Sequence, residues 1–237
     1  MRLTGFTHPA LLSIAILALA VPATTLAQRE TETVDRTLPF PSGGTLALHN
    51  FSGDVHITGT TGRDIVIKAV RRADRDRLDH IKLDIQASGS RVMIEANTRD
   101  DSWHDRDNNV VDTTFEIQIP ASARLDIDAF SSDLDIRGIT GEQRLKTFSG
   151  DITIDAAAAG TAPDLSAETF SGGIRARLAD EAKGDVQFST FSGNLDSDLP
   201  LTIRSTSRSR TLGSLPGGSG GGSLTFKTFS GNVRVTK

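Results

Sequence analysis

Six near-copies of one twelve-residue segment, each bent around a Phe-Ser corner, restrict this chain to a stacked β architecture. The corners begin at Phe51, Phe130, Phe148, Phe170, Phe191 and Phe229. Aligned on the Phe, the copies read LALHNFSGDVHI, LDIDAFSSDLDI, QRLKTFSGDITI, LSAETFSGGIRA, VQFSTFSGNLDS and LTFKTFSGNVRV. The residues five and three places before the Phe are nearly always apolar, as in Leu46/Leu48, Leu125/Ile127, Val186/Phe188 and Leu224/Phe226. An aliphatic residue follows four places after it every time, from Val55 to Val233. Polar residues alternate with these positions, which is the pattern of a strand, a corner and a second strand. A unit that buries one face needs a neighbour like itself, so stacked copies are the expected solution. The fold class read from this pattern is all-β: a single irregular β-solenoid of the parallel β-helix kind, built from coils of about twenty residues.

The spacing of the corners refines that expectation. From Phe130 onward the intervals are 18, 22, 21 and 38 residues, the last reading as two coils, and the 79 residues from Phe51 to Phe130 read as four. Coil order then follows chain order, which makes Phe148 interior and Phe229 terminal. Each Ser is followed by Gly except in the second copy, Ser131-Ser132. Gly is read as supplying a positive φ at a tight corner, so the Ser132 corner is expected to be relaxed. The Phe rings are expected to point inward and stack between coils, where aromatic contacts add about 0.5–1.5 kcal/mol beyond burial.

The N-terminus reads as an export signal, residues 1–27. Arg2 precedes the twelve-residue apolar run Ala10–Val21, and Ala23–Ala27 ends in a small-residue cleavage site before Gln28. That run is shorter than the ~18–20 residues of a membrane span. The expected location is periplasmic or extracellular, with no membrane span after cleavage. The remaining domain, residues 28–237, has 25 basic and 30 acidic residues, a balance that argues against nucleic-acid partners. Zero Cys excludes disulfides, thiolate chemistry and a lipidated N-terminus. Three segments break the repeat. Arg71–His80 is charged and reads as a loop or short helix, and residues 98–112 form an acidic loop. Residues 205–223, rich in Ser, Arg and Gly, read as a flexible excursion.

The segment Gly43-Gly44-Thr45-Leu46-Ala47-Leu48-His49-Asn50-Phe51-Ser52-Gly53-Asp54-Val55, with the FSG-strand units that follow it, resembles the DUF4097-type family of exported bacterial adhesin-like proteins. The resemblance spans roughly Val34 to Lys237. It implies an exported all-β solenoid and brings no catalytic residues with it.

Candidate chemistry is sparse. A nucleophilic Ser needs a base and an oxyanion hole once, whereas the corner Ser recurs six times without a G-x-S-x-G. Asp126/Asp128 and Asp133/Asp135 stand two residues apart, so each pair is expected to point outward together, as acids do in sugar-cleaving solenoids. A solvated face is the simpler reading. Asp100, Asp101, Asp105, Asp107, Asn108, Asn109 and Asp112 are oxygen donors of the kind Ca²⁺ takes, without an EF-hand order, and His104 has no second His at a ligand spacing. Arg204, Arg208 and Arg210 could meet an anionic polymer, but their Ser-Gly setting reads as a linker. No catalytic, cofactor or metal residue is therefore assigned. The function expected is that of a non-enzymatic cell-envelope scaffold or interaction module, adhesin-like, with an envelope protein or extracellular polymer as partner. The alternatives are a carbohydrate-active solenoid enzyme using the outward Asp residues, or an envelope-stress accessory protein.

Overall fold

The structure is a computed structural model that describes residues 29–99, 110–157, 162–207, 209–216 and 221–237. The segment read as an export signal and most of the acidic loop lie outside these. Each Phe-Ser corner joins two strands: β2 (Thr45–Ser52) to β3 (Val55–Thr60), β8 (Arg124–Ser131) to β9 (Leu134–Arg137), and β10 (Gln143–Ser149) to β11 (Ile152–Asp155). The same corner joins β12 (Leu165–Ser171) to β13 (Ile174–Arg177), β14 (Gly184–Ser192) to β15 (Leu195–Ser197), and β18 (Gly222–Ser230) to β19 (Val233–Thr236). The second members pair in parallel in the first sheet, which also holds β1 (Glu30–Pro39), and the first members pair in parallel in the second sheet. A seventh coil, β6 (Arg91–Arg99) with β7 (Asp112–Pro120), stacks on β2 and β3. Leu46, Leu48, Leu125, Ile127, Leu224 and Phe226 from one sheet meet Val55, Ile57, Leu134, Ile136, Val233 and Val235 from the other in one buried core.

Antiparallel strands finish the stack. β4 (Asp64–Ala73) and β1 (Glu30–Pro39) extend the first sheet beyond β7, and β5 (Ile81–Ser88) extends the second beyond β6. Between β4 and β5 the charged segment forms the short helix α1 (Arg75–His80), whose Leu78 is buried with Ala73, Ile81 and Val111. At the far end β16 (Thr202–Thr206) and β17 (Arg210–Ser214) form a hairpin against β14. Much of the expected excursion is therefore sheet, held by Arg204 Nη2 donating to Asp185 Oδ1 at 2.9 Å and by buried Leu215.

Coil order departs from chain order. The second sheet runs β16-β17-β14-β18-β12-β10-β8-β2-β6-β5 and the first runs β1-β4-β7-β3-β9-β11-β13-β19-β15. The C-terminal coil β18–β19 thus fills a gap between β12–β13 and β14–β15, so Phe229 is interior and Phe191 is terminal. The 38-residue interval is one coil plus the capping hairpin. The 79-residue interval holds the β6–β7 coil and the antiparallel strands β4 and β5, and Phe51 and Phe130 are direct neighbours.

The corners are tighter than expected, for a different reason. A Cβ on Gly231 would stand 1.8 Å from the Gly172 carbonyl oxygen of the adjacent coil, and one on Gly172 would stand 2.0 Å from that of Gly150. Close approach of the backbones, rather than a positive φ, requires Gly there; Gly53, at φ 100°, does need the left-handed region. The Ser132 corner is not relaxed. Its N–H donates to the Ser149 carbonyl at 3.1 Å, and its buried hydroxyl accepts from Asn50 Nδ2 at 3.3 Å.

Candidate functional site

Strand alternation places the corner rings. In β10 the inward residues are Gln143, Leu145 and Thr147, so Phe148 points out. The Thr one place before the Phe enters the core edge and spends its hydroxyl on a neighbouring corner. Thr147 Oγ1 donates to the Ser132 carbonyl at 3.1 Å, and Thr169 Oγ1 to that of Gly150 at 3.1 Å. A ring cannot do this, and the outer face receives it. Phe51, Phe130, Phe148, Phe170 and Phe229 are 42–45% exposed and Phe191 is 77% exposed. The expected stacking holds, but the expected inward direction is reversed.

The rings form one continuous ladder, in the order Phe191, Phe229, Phe170, Phe148, Phe130, Phe51. Successive centroids are 4.6–4.9 Å apart, with planes within 2–14° of parallel. This is the strand spacing itself, so the backbone ladder sets the ring ladder. The four interior rings are covered on both faces and meet solvent by their edges, while the terminal Phe191 and Phe51 each stack on one side only. Beside the ladder runs a trough of about 1000 Å³, floored by residues such as Thr147 and Thr169 and walled by His49, Asp128, Lys146, Glu168 and Lys227.

The opposite face, on the first sheet, is carpeted with ion pairs. Arg137 grips Asp135 through Nε at 2.9 Å and Nη2 at 2.6 Å, and Arg177 Nη2 donates to Asp155 at 2.5 Å. That guanidinium holds the Asp155 carboxyl below the usual carboxylate range. At the corners, Asp133 Oδ1 accepts from the Asp151 N–H and Asp151 Oδ1 from the Gly173 N–H, both at 2.8 Å. The Gly173 N–H, with the Arg175 guanidinium, depresses the Asp151 carboxyl as well. Asn232 Oδ1 accepts likewise from the Asn194 N–H at 3.0 Å, so at Asp133, Asp151 and Asn232 the residue after the corner is a side-chain acceptor for the next coil.

The outward acids do not converge. Asp126 and Asp128 lie on the outer face of the second sheet, Asp135 lies on that of the first, and Asp133 is engaged at the corner between them. Of the basic run, Arg204 pairs with Asp185 and Arg210 Nη2 donates to Gln187 Oε1 at 2.6 Å, while Arg208 lies outside the described residues. His104, Asp100, Asp101, Asp105, Asp107, Asn108 and Asn109 also lie outside them, and Asp112 on β7 accepts from the Ser52 hydroxyl at 3.2 Å. Among the described residues no three His, Cys, Asp or Glu side chains gather as a metal site, and no helix is long and apolar enough to cross a membrane.

The Toastrack DUF4097 family model matches residues 42–236. No curated protein matches the sequence. A crystal structure of a "putative cell adhesion protein" from Clostridium sporogenes superposes with a TM-score of 0.60 at 10% identity, covering 86% of this chain and 99% of that one. A "putative adhesin" from Bacteroides fragilis aligns over 86% of this chain and 97% of its own at 10% identity, with a TM-score of 0.29 that carries no argument. At these identities the likeness speaks to the fold alone.

Proposed function

The chain belongs to the Toastrack DUF4097 family, and from that premise we propose that it is a non-enzymatic, exported interaction module of the cell envelope that docks its partner on the Phe ladder. The carrying observation is the ladder itself. Monomeric proteins rarely leave more than a few hundred Å² of contiguous apolar surface in water, and a patch beyond that marks an interaction site. Six rings at 42–77% exposure leave on the order of 600 Å² of aromatic surface, taking ~200 Å² for a whole ring side chain. Export is supported by the N-terminal apolar run, and the non-enzymatic reading by the separation of Asp128 from Asp135 onto opposite sheets. The adhesion named for the Clostridium protein is compatible with this reading. Sugar stacking along the ladder is disfavoured, because a glycan platform needs free ring faces and the four interior rings offer edges.

A photo-cross-linking residue placed at Lys146 or Phe170 in the native envelope tests the docking face, with Thr153 on the other sheet as control. Cross-linked products from the ladder positions and none from Thr153 are expected. Products from Thr153 alone would move the docking face to the other sheet.

A further inference from the structure

Beside the aromatic ladder, two residues earlier in each strand, runs a row of charges whose order carries its own information. Paired strands place Lys227, Glu168, Lys146 and Asp128 side by side on β18, β12, β10 and β8. All four are exposed, and among the described residues none meets an opposite charge within 4.0 Å. Outside them stand Ser189 on β14 and His49 on β2, and outside those Arg210 on β17 and Glu95 on β6. Reading across eight strands, the row is cationic or neutral at each place where its mirror place is anionic or neutral. The midpoint falls between β12 and β10.

We propose that the occupant of the ladder face is a second copy of this chain, related by a two-fold axis that runs parallel to the strands and passes between β12 and β10. Such a rotation reverses the order of strands while leaving each side-chain column opposite itself. Ring column then meets ring column, edge to edge. Glu168 of each copy faces the other's Lys146, Lys227 faces Asp128, and Arg210 faces Glu95, while Ser189 meets His49. The next column obeys the same rule without conflict, setting Arg144 against Ser166 and Asp126 against Thr225. Sliding the axis onto β12 would oppose Lys227 to Lys146. Moving it one full step, between β18 and β12 or between β10 and β8, keeps opposite charges facing but leaves two rings of each copy unopposed, so charge and ring overlap together select the register. Alternation between neighbouring strands would by itself favour the single copy. It does not explain why Arg210 and Glu95 continue the antisymmetry at the two ends. Two ladders together carry about 1,200 Å² of exposed aromatic surface, and with the charged row beside them the face is large enough for the ~1,000 Å² that a specific interface needs.

The inference rests on the ladder being the docking face, and charge exchange tests it separately from that reading. The exported protein, produced from the full chain, is examined by analytical ultracentrifugation as wild type, as Glu168→Lys, as Lys146→Glu, and as an equimolar mixture of the two variants. Both substituted positions are exposed, and thermal melting checks that each variant folds. The wild type is expected to dimerise, and each variant alone to lose at least about tenfold in self-association, since two like-charge contacts replace two pairs. In the mixture every contact is again opposite in sign, so heterodimers are expected with an affinity within about threefold of the wild type. A wild type with Kd weaker than about 1 mM, or a mixture no tighter than the separate variants, would overturn the dimer. If the dimer fails while Lys146 and Phe170 still cross-link another molecule in the envelope, the interaction reading stands without it. If those positions capture nothing, both fall.

Discussion

Phe148 and Phe226 are both aromatic residues on strands of the same sheet, yet their environments differ almost completely. Phe226 is fully buried and Phe148 is 45% exposed. Phe226→Ala should cost about 3–5 kcal/mol, the usual range for a core aromatic. Phe148→Ala loses two stacked neighbours and only about half the burial of a core ring, so about 1–2 kcal/mol is expected. Urea denaturation of the pair measures the contrast, and equal costs would contradict the outward ladder. A second contrast concerns Gly. Gly231→Ala would force a backbone of the neighbouring coil to move and should lose about 3 kcal/mol or more, whereas Gly62→Ala meets only an ordinary contact with the Thr60 hydroxyl and should stay within about 0.5 kcal/mol. Asp151 adds a pH term. Its folded carboxyl titrates below the unfolded value of about 3.9, so its contribution is fully present above that pH and is lost as pH falls through the folded value. Asp151→Asn keeps an acceptor for the Gly173 N–H, as Asn232 does for Asn194, and should flatten the fall of melting temperature below about pH 4. An unchanged acid profile would remove Asp151 from that role. The outward direction of Phe148 was legible in the repeat. Apolar residues five and three places before the Phe set the inward phase, and period two then turns the Phe outward. Aromatic character pulled the reading the other way, and the Thr hydroxyl that takes the inner place is too common a residue to announce itself.

At the scale of elements, the strands and corners could be read from alternation, while the order of coils could not. Corner spacing measures chain length between rings and carries no information on which coil lies beside which. The 38 residues from Phe191 to Phe229 have the length of two coils and are used for one coil and the β16–β17 hairpin. That hairpin was hidden because TIRST and RTLGS are short, polar and set among Ser and Gly. Its inner strand β17 pairs on β14 and covers an end of the second sheet that would otherwise offer unpaired backbone groups, with β16 as the new edge. Hydrogen exchange should show it. Amides of Arg210–Ser214, between two strands, should exchange more slowly than those of the edge strand Thr202–Thr206. Free-peptide exchange in both would mean that the hairpin does not form in solution.

For the whole molecule the arrangement approximates a one-dimensional array, in which each coil contributes its own stability and one interface per neighbour. The coil made by the last sixteen residues has two neighbours. Ending the chain after Gly221 removes both interfaces and exposes the surfaces that Leu224, Phe226, Val233 and Val235 cover. At about 1.5–3 kcal/mol for each such side chain, the loss rivals the 5–15 kcal/mol of a typical domain. The truncated protein should lose its cooperative thermal transition, read by circular dichroism; a melting temperature within a few degrees of the intact chain would refute the inserted order. The same insertion gives the molecule a mechanical polarity. Tension on Lys237 must shear β19 from β13 and β15, and then β18 from β12 and β14, two ladders at a time. Tension at Glu30 meets β1, which is held by β4 alone and can be unzipped one bond after another. A proteolytic machine that grips the tail would start at the most strongly clamped coil, and one that grips the head would start at a strand that peels.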